Sequence, residues 1–148
     1  MKLSISRIML LVVSPLLFGS AAYAQEINVR ARVPFDFVLS DKVYPAGEYT
    51  VQTAMANTYF LSLNDDGRTT QALTLSLPCI SSNQAIPANQ AKLVFHRTGN
   101  TYFLFQLWVA GSSVGREFPR SHRQAHQAQM AMNGPKTETV IVAANIVH

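Results

Sequence analysis

The stretch VPFDFVLSDKVYPAGEYTV, Val33–Val51, decides how the rest of the chain is read. Phe35 and Phe37 flank Asp36, so an extended segment here carries aromatics along one face. Tyr44-Pro45-Ala46-Gly47-Glu48 reads as a turn, because Pro45 fixes its own φ and pushes Tyr44 into the extended region. Gly47 is the residue able to take a positive φ there, and Tyr49-Thr50-Val51 restarts a strand. The stretch is strand, turn and strand, and it carries no chemistry of its own.

Alternation spreads outward from it. In Ile27–Val33, Ile27, Val29, Ala31 and Val33 oppose Asn28, Arg30 and Arg32, the pattern of a half-buried strand that Pro34 interrupts. Ser40-Asp41-Lys42 reads as a polar loop. Glu48–Met55 and Thr58–Leu63 read as strands joined by a reversal at Ala56-Asn57. Asn64-Asp65-Asp66-Gly67 reads as a hairpin turn, and Thr70–Leu77 follows with Leu73, Leu75 and Leu77 opposing Ala72, Thr74 and Ser76. The Ser/Asn/Gln/Pro-rich stretch from Pro78 to Ala91 reads as a long surface loop. Lys92–Arg97 and Thr101–Val109 form a hairpin about Thr98-Gly99-Asn100; the second strand is apolar on both faces and is expected at the centre, with Trp108 in the core. Pro119 and a capping Ser121 open a helix at about 120–132, Asn133-Gly134-Pro135 ends it, and a final strand is expected at about 138–147. Asn57-Thr58-Tyr59-Phe60-Leu61 recurs as Asn100-Thr101-Tyr102-Phe103-Leu104, an echo that shared hairpin chemistry explains as well as duplication does. The fold class expected is all-β: an antiparallel β-sandwich or small β-barrel of about eight strands with one late peripheral helix.

The PFDF run, the PAGEYTV turn and strand, the KLVFHR hairpin and the GSSVGREFP segment together resemble a family of small secreted β-rich proteins abundant in acidobacteria. The likeness spans about Ala31 to Gln124. It implies export and a β-rich fold. No activity is attached to that family, so it implies no catalytic residue.

The chain has 148 residues and a formal charge of +4. Met1–Ala24 has the build of a secretory signal peptide: Lys2 and Arg7 at the start, a short apolar run at Ile8–Phe18, and Ala22-Tyr23-Ala24 as an A-x-A site cleaved between Ala24 and Gln25. The alternative, a membrane anchor, needs about 20 apolar residues, and this run is shorter. Residues 25–148 then form a single β-rich domain. Ten basic against eight acidic residues remain there, a charge of +2, too small to argue for nucleic acid. No later apolar run is long enough to span a membrane as a helix, and Cys79, the one cysteine, has no partner for an internal disulfide. Its bland reading is a buried small apolar residue.

Five groups bear on chemistry. His122 and His126 stand four apart, a spacing that lets two imidazoles share a metal on a helix; with no Glu between them, a solvated helix face is the simpler account. Arg116, Arg120 and Arg123 form the densest basic cluster, suited to a carboxylate or phosphate such as an anionic envelope glycan, or to an ordinary charged face. Gly111-Ser112-Ser113-Val114-Gly115 is neither a nucleophile elbow nor a phosphate loop. Asp65 and Asp66 share one hairpin tip, where they cannot flank a substrate. Tyr44, Tyr49, Tyr59, Tyr102 and Trp108 suit a ligand cleft or plain packing. No catalytic motif and no cofactor signature emerges. The expectation is an exported, non-enzymatic β-domain that binds a ligand or protein partner in the periplasm or outside the cell. The alternatives are an assembly protein using its C-terminal strand, or an unrecognised hydrolase.

Overall fold

A computed structural model of the protein describes residues 26–54, 60–65, 69–80, 90–130 and 136–147. The signal-peptide reading with its Ala24/Gln25 cleavage, the reversal at 56–57, most of the turn at 66–67, loop residues 81–89 and the helix stop at 133–135 lie outside them.

Among the described residues eleven strands form one mixed sheet, curled into a half-barrel. They are β1 (Asn28–Val33), β2 (Phe37–Leu39), β3 (Lys42–Tyr44), β4 (Gly47–Thr53), β5 (Phe60–Asp65), β6 (Thr70–Leu75), β7 (Leu77–Ile80), β8 (Ala91–Thr98), β9 (Thr101–Trp108), β10 (Val114–Glu117) and β11 (Glu138–Ile146). One helix, α1 (His122–Met130), precedes β11. The order across the sheet is β3-β2-β9-β8-β11-β1-β4-β5-β6, with β10 also on β9 and β7 on β10.

The all-β expectation with one late helix holds, with two refinements. The β2–β9 pair is parallel. A tight hairpin makes only consecutive strands antiparallel; after Pro34 the chain instead crosses from β1 to the edge of β9. The strand count also rises, because Phe37–Tyr44 folds into a short hairpin and Pro78–Ile80, expected as loop, joins Leu77 in a strand that pairs with β10. Pro78 is tolerated there because β7 is an edge strand with one neighbour.

The half-barrel encloses the apolar faces that alternation defines. Val29, Ala31 and Val33 of β1 are buried while Arg30 and Arg32 are exposed. Phe37 packs edge-on against Tyr49 and Phe95 and stacks on Tyr44, and Phe35 stacks on Tyr102 at 3.9 Å between ring centres. The Val33–Val51 stretch is thus the aromatic heart of the core. Its turn is held from two sides: the Tyr49 hydroxyl donates to the Pro45 carbonyl at 2.7 Å, and Asp36 Oδ1 accepts from the Ala46 amide at 2.8 Å. Gly47 takes no positive φ. That conformation falls instead at Ser40 (50°) and Asp41 (66°), the two central residues of the β2–β3 hairpin, as a type I′ turn requires.

The ends of the half-barrel, β3 and β6, are joined by side chains rather than a backbone ladder. The Tyr44 hydroxyl donates to the Gln71 carbonyl at 3.4 Å, and Ser40 and Thr74 share a hydrogen bond of 3.2 Å. Inside the half-barrel, the gap between Leu39, Val51, Leu61, Thr74, Leu104 and Phe118 has no room for a water molecule.

β9 is buried on both faces, as its composition predicts. Leu104 and Leu107 point into the barrel, while Trp108 packs outside it in a smaller cluster with Val94, Phe105 and Cys79. Ser121 is the helix cap, its Oγ accepting from the Gln124 amide at 3.0 Å, and Asp41 Oδ2 accepts from the His122 amide at 3.3 Å. No described helix is long and apolar enough to cross a membrane.

Candidate ligand cleft

Cross-strand registers build a row of side chains on the outer face of the sheet. Val43 pairs with Val38, Val38 with Phe103, and Phe103 with His96, spanning β3, β2, β9 and β8. Period-two geometry makes such partners neighbours on one face. At the β3 end of the row lies a cleft of about 240 Å³. Its floor is Val38 and Phe103, 4% and 2% exposed, and Val43 forms a wall at 52%. Asp36, Asn100 and Thr101 supply its polar rim.

Local chemistry positions each rim group. Gly99, at φ 61°, opens the two-residue β8–β9 turn in the type II′ pattern and sets Asn100 and Thr101 at its exit. Asp36 sits on the crossing between β1 and β2, anchored through Oδ1 to the Ala46 amide. The cleft therefore offers an apolar floor with a carboxylate, an amide and a hydroxyl at its mouth. That set accepts a small neutral or cationic molecule with one apolar side.

Farther along this face lies a polar network. The His96 ring stacks on Phe105 at 3.9 Å. Trp108 Nε1 donates to Gln106 Oε1 at 3.2 Å, and Gln106 Nε2 donates to Glu117 Oε2 at 3.1 Å. Burial, then the Arg120 guanidinium, holds the His96 imidazole below its ordinary 6.5, against an opposing pull from Glu117. Burial and then Glu117 push the Cys79 thiol up, against smaller opposite effects of Arg116 and the Gly115 amide, so the thiolate is disfavoured.

The residues singled out in the sequence fall on different elements. Arg116 lies on β10, Arg120 in the connector beyond it and Arg123 on α1, so the basic cluster is spread over three local structures. His122 and His126 are exposed on α1. Among the described residues no three His, Cys, Asp or Glu side chains are grouped to hold a metal. Val114-Gly115 belongs to β10 and Gly111-Ser112 to the turn before it. Asp65 ties its own hairpin, accepting from the Thr69 amide and from Gln71 Nε2, both at 2.9 Å, while Asp66 lies outside the described residues. Tyr44 and Tyr49 are core side chains, Trp108 is buried in the separate outer cluster, Tyr102 is half-buried in a stack, and Tyr59 lies outside the described residues. Burial first, then Asp65 and Asp36, raises the Tyr49 phenol, which keeps its proton for the Pro45 carbonyl.

Sequence reasoning missed the rim residues Asp36, Asn100 and Thr101. Their signal was present: PFDF and TGNTYF each carry polar residues beside aromatics. Only the parallel β2–β9 pairing brings the two runs together. Neither a protein-family model, nor a curated protein, nor a solved structure matches this chain.

Proposed function

We propose that the protein is an exported, non-enzymatic binding module that holds a small ligand in the cleft at the β2–β3–β9 edge. The observation that carries this reading is the cleft itself, with a nearly fully buried Val38–Phe103 floor beneath the polar rim of Asp36, Asn100 and Thr101. Export rests on the charge, apolar run and cleavage motif of Met1–Ala24. Among the described residues the lining holds a single carboxylate and no second acid or base to share proton transfer with it, which favours binding over catalysis.

The test is native mass spectrometry of Gln25–His148 gently purified from its own host. The expected result is a mass beyond that of the chain, carried by the wild type and lost in Val43→Arg. Val43 is more than half exposed, so the variant fills the cleft without disturbing the core. A wild type without added mass, or the same mass retained by a folded Val43→Arg, overturns the reading.

A further inference from the structure

Strand alternation sorts the charges at the β2–β3–β9 edge onto two faces. The β2–β9 register sets Phe37 beside Tyr102 and Val38 beside Phe103. Two residues back along both strands, Asp36 and Thr101 stand on the same face as Val38 and Phe103, and all four line the cleft. The carboxylate and the apolar floor are thus roughly 7 Å apart along the strand.

The neighbouring cations turn to the other face. Lys42 precedes Val43 on β3, and its Nζ lies 5.3 Å from the centre of the Tyr44 ring. Tyr44 pairs with Phe37, so this contact is on the core side of the hairpin. Arg97 pairs with Tyr102 and is committed there: its Cζ lies 5.6 Å from that ring, its Nε donates to the Gly99 carbonyl at 2.9 Å, and its Nη1 meets Glu138 at 3.5 Å. The Arg120 guanidinium acts on His96, at the opposite end of the outer row. Among the described residues, Asp36 is therefore the one charged group that lines the cleft. It is exposed, its Oδ1 accepts from the Ala46 amide, and among the described residues it enters no ion pair.

A single carboxylate beside an apolar floor selects by charge. It attracts a cation, leaves a neutral molecule to the floor alone, and repels an anion. A primary ammonium brings three donors, and the mouth of the cleft offers three acceptors: the Asp36 carboxylate, the Asn100 amide oxygen and the Thr101 hydroxyl. The volume of about 240 Å³ falls below the roughly 300–1,000 Å³ of sites for drug-sized ligands, so the molecule is small. Resting on the ligand reading above, we infer that the cleft selects a small primary amine. Its ammonium lies at Asp36, Asn100 and Thr101, and its short apolar tail lies on Val38 and Phe103 against Val43.

Three probes of similar shape separate charge from burial. Pentylammonium, 1-pentanol and pentanoate are titrated into dialysed Gln25–His148 and followed by amide chemical shifts. The expected result is saturable shifts at Val38, Asn100 and Thr101. Pentylammonium should bind about fivefold more tightly than 1-pentanol, the upper end for an exposed ion pair, and pentanoate more weakly than either. Added salt should weaken pentylammonium and leave 1-pentanol unchanged. Asp36→Asn keeps an acceptor for the Ala46 amide but removes the charge, so it should bring pentylammonium down to the affinity of 1-pentanol. The ranking and its salt dependence are read on the wild type, so they hold even where the variant folds poorly. Equal binding of the three probes, or a pentylammonium affinity unmoved by Asp36→Asn, overturns the amine assignment and leaves the cleft as a site for another ligand. No saturable shift with any probe overturns the assignment as well, and the ligand reading then stands or falls on the mass carried by the wild type.

Discussion

Gln71 shows how much one residue can decide. As an extra residue in β6 it reverses which side chains the strand buries, and the alternation of Leu73, Leu75 and Leu77 is identical for either outcome. Register against β5 makes the choice, and the Asp65 carboxylate and Tyr44 hydroxyl hold it. His96 is a second such residue. Its imidazole sits against Phe105 and close to Arg120, with a folded-state pKa below the ordinary 6.5. The unfolded chain therefore takes up the proton first as the pH falls. The contribution of neutral His96 to stability is complete above about pH 6.5 and is lost as the pH drops through the folded value. Thermal melts across this window should show a steeper fall in Tm for the wild type than for His96→Gln. Parallel profiles for the two would remove His96 as the cause.

At the scale of elements, β10 shows how a short strand is held. Its ladder to β9 spans two register positions, Arg116 to Leu107 and Glu117 to Gln106. Its ladder to β7 spans four, from Val114 opposite Ile80 to Glu117 opposite Leu77, and packing adds to both. Gly115 lies so close to the Trp108 indole that a Cβ added there would stand 2.8 Å from ring carbons. An indole ring in a packed cluster cannot yield by that much without moving its neighbours Val94 and Phe105. Gly115→Ala should therefore destabilise the protein by about 1–3 kcal/mol in denaturant melts, with altered Trp108 fluorescence. An unchanged midpoint and spectrum would show that the Trp108 layer is loose. The helix makes the complementary point. Ser121 as its cap was readable from local chemistry, whereas the Asp41 carboxylate at its first amide comes from a hairpin 81 residues away.

For the whole molecule, the position of β11 matters most. It pairs with β8 from Glu138 to Ala144 and with β1 from Ala144 to Ile146, so the last strand lies inside the sheet. Removing residues 138–148 would leave β8 and β1 without their shared neighbour and open the core at Ala144. The truncated chain should lose its cooperative thermal transition and its dispersed amide spectrum. A truncated domain that still melts cooperatively would mean that β8 and β1 can close on each other. The sequence alone determined the β class, the placement of most strands, the capped late helix, and the central place of Thr101–Trp108. Each follows from a rule that acts within a few residues: alternation, proline and glycine geometry, capping. Tertiary structure decided the insertion of β11, the parallel β2–β9 pair, the cleft between Asp36 and Asn100, and the outward leucines of β6. These depend on which distant strands share a ladder and in what register, and a chain can meet identical local preferences in several such pairings before packing selects one.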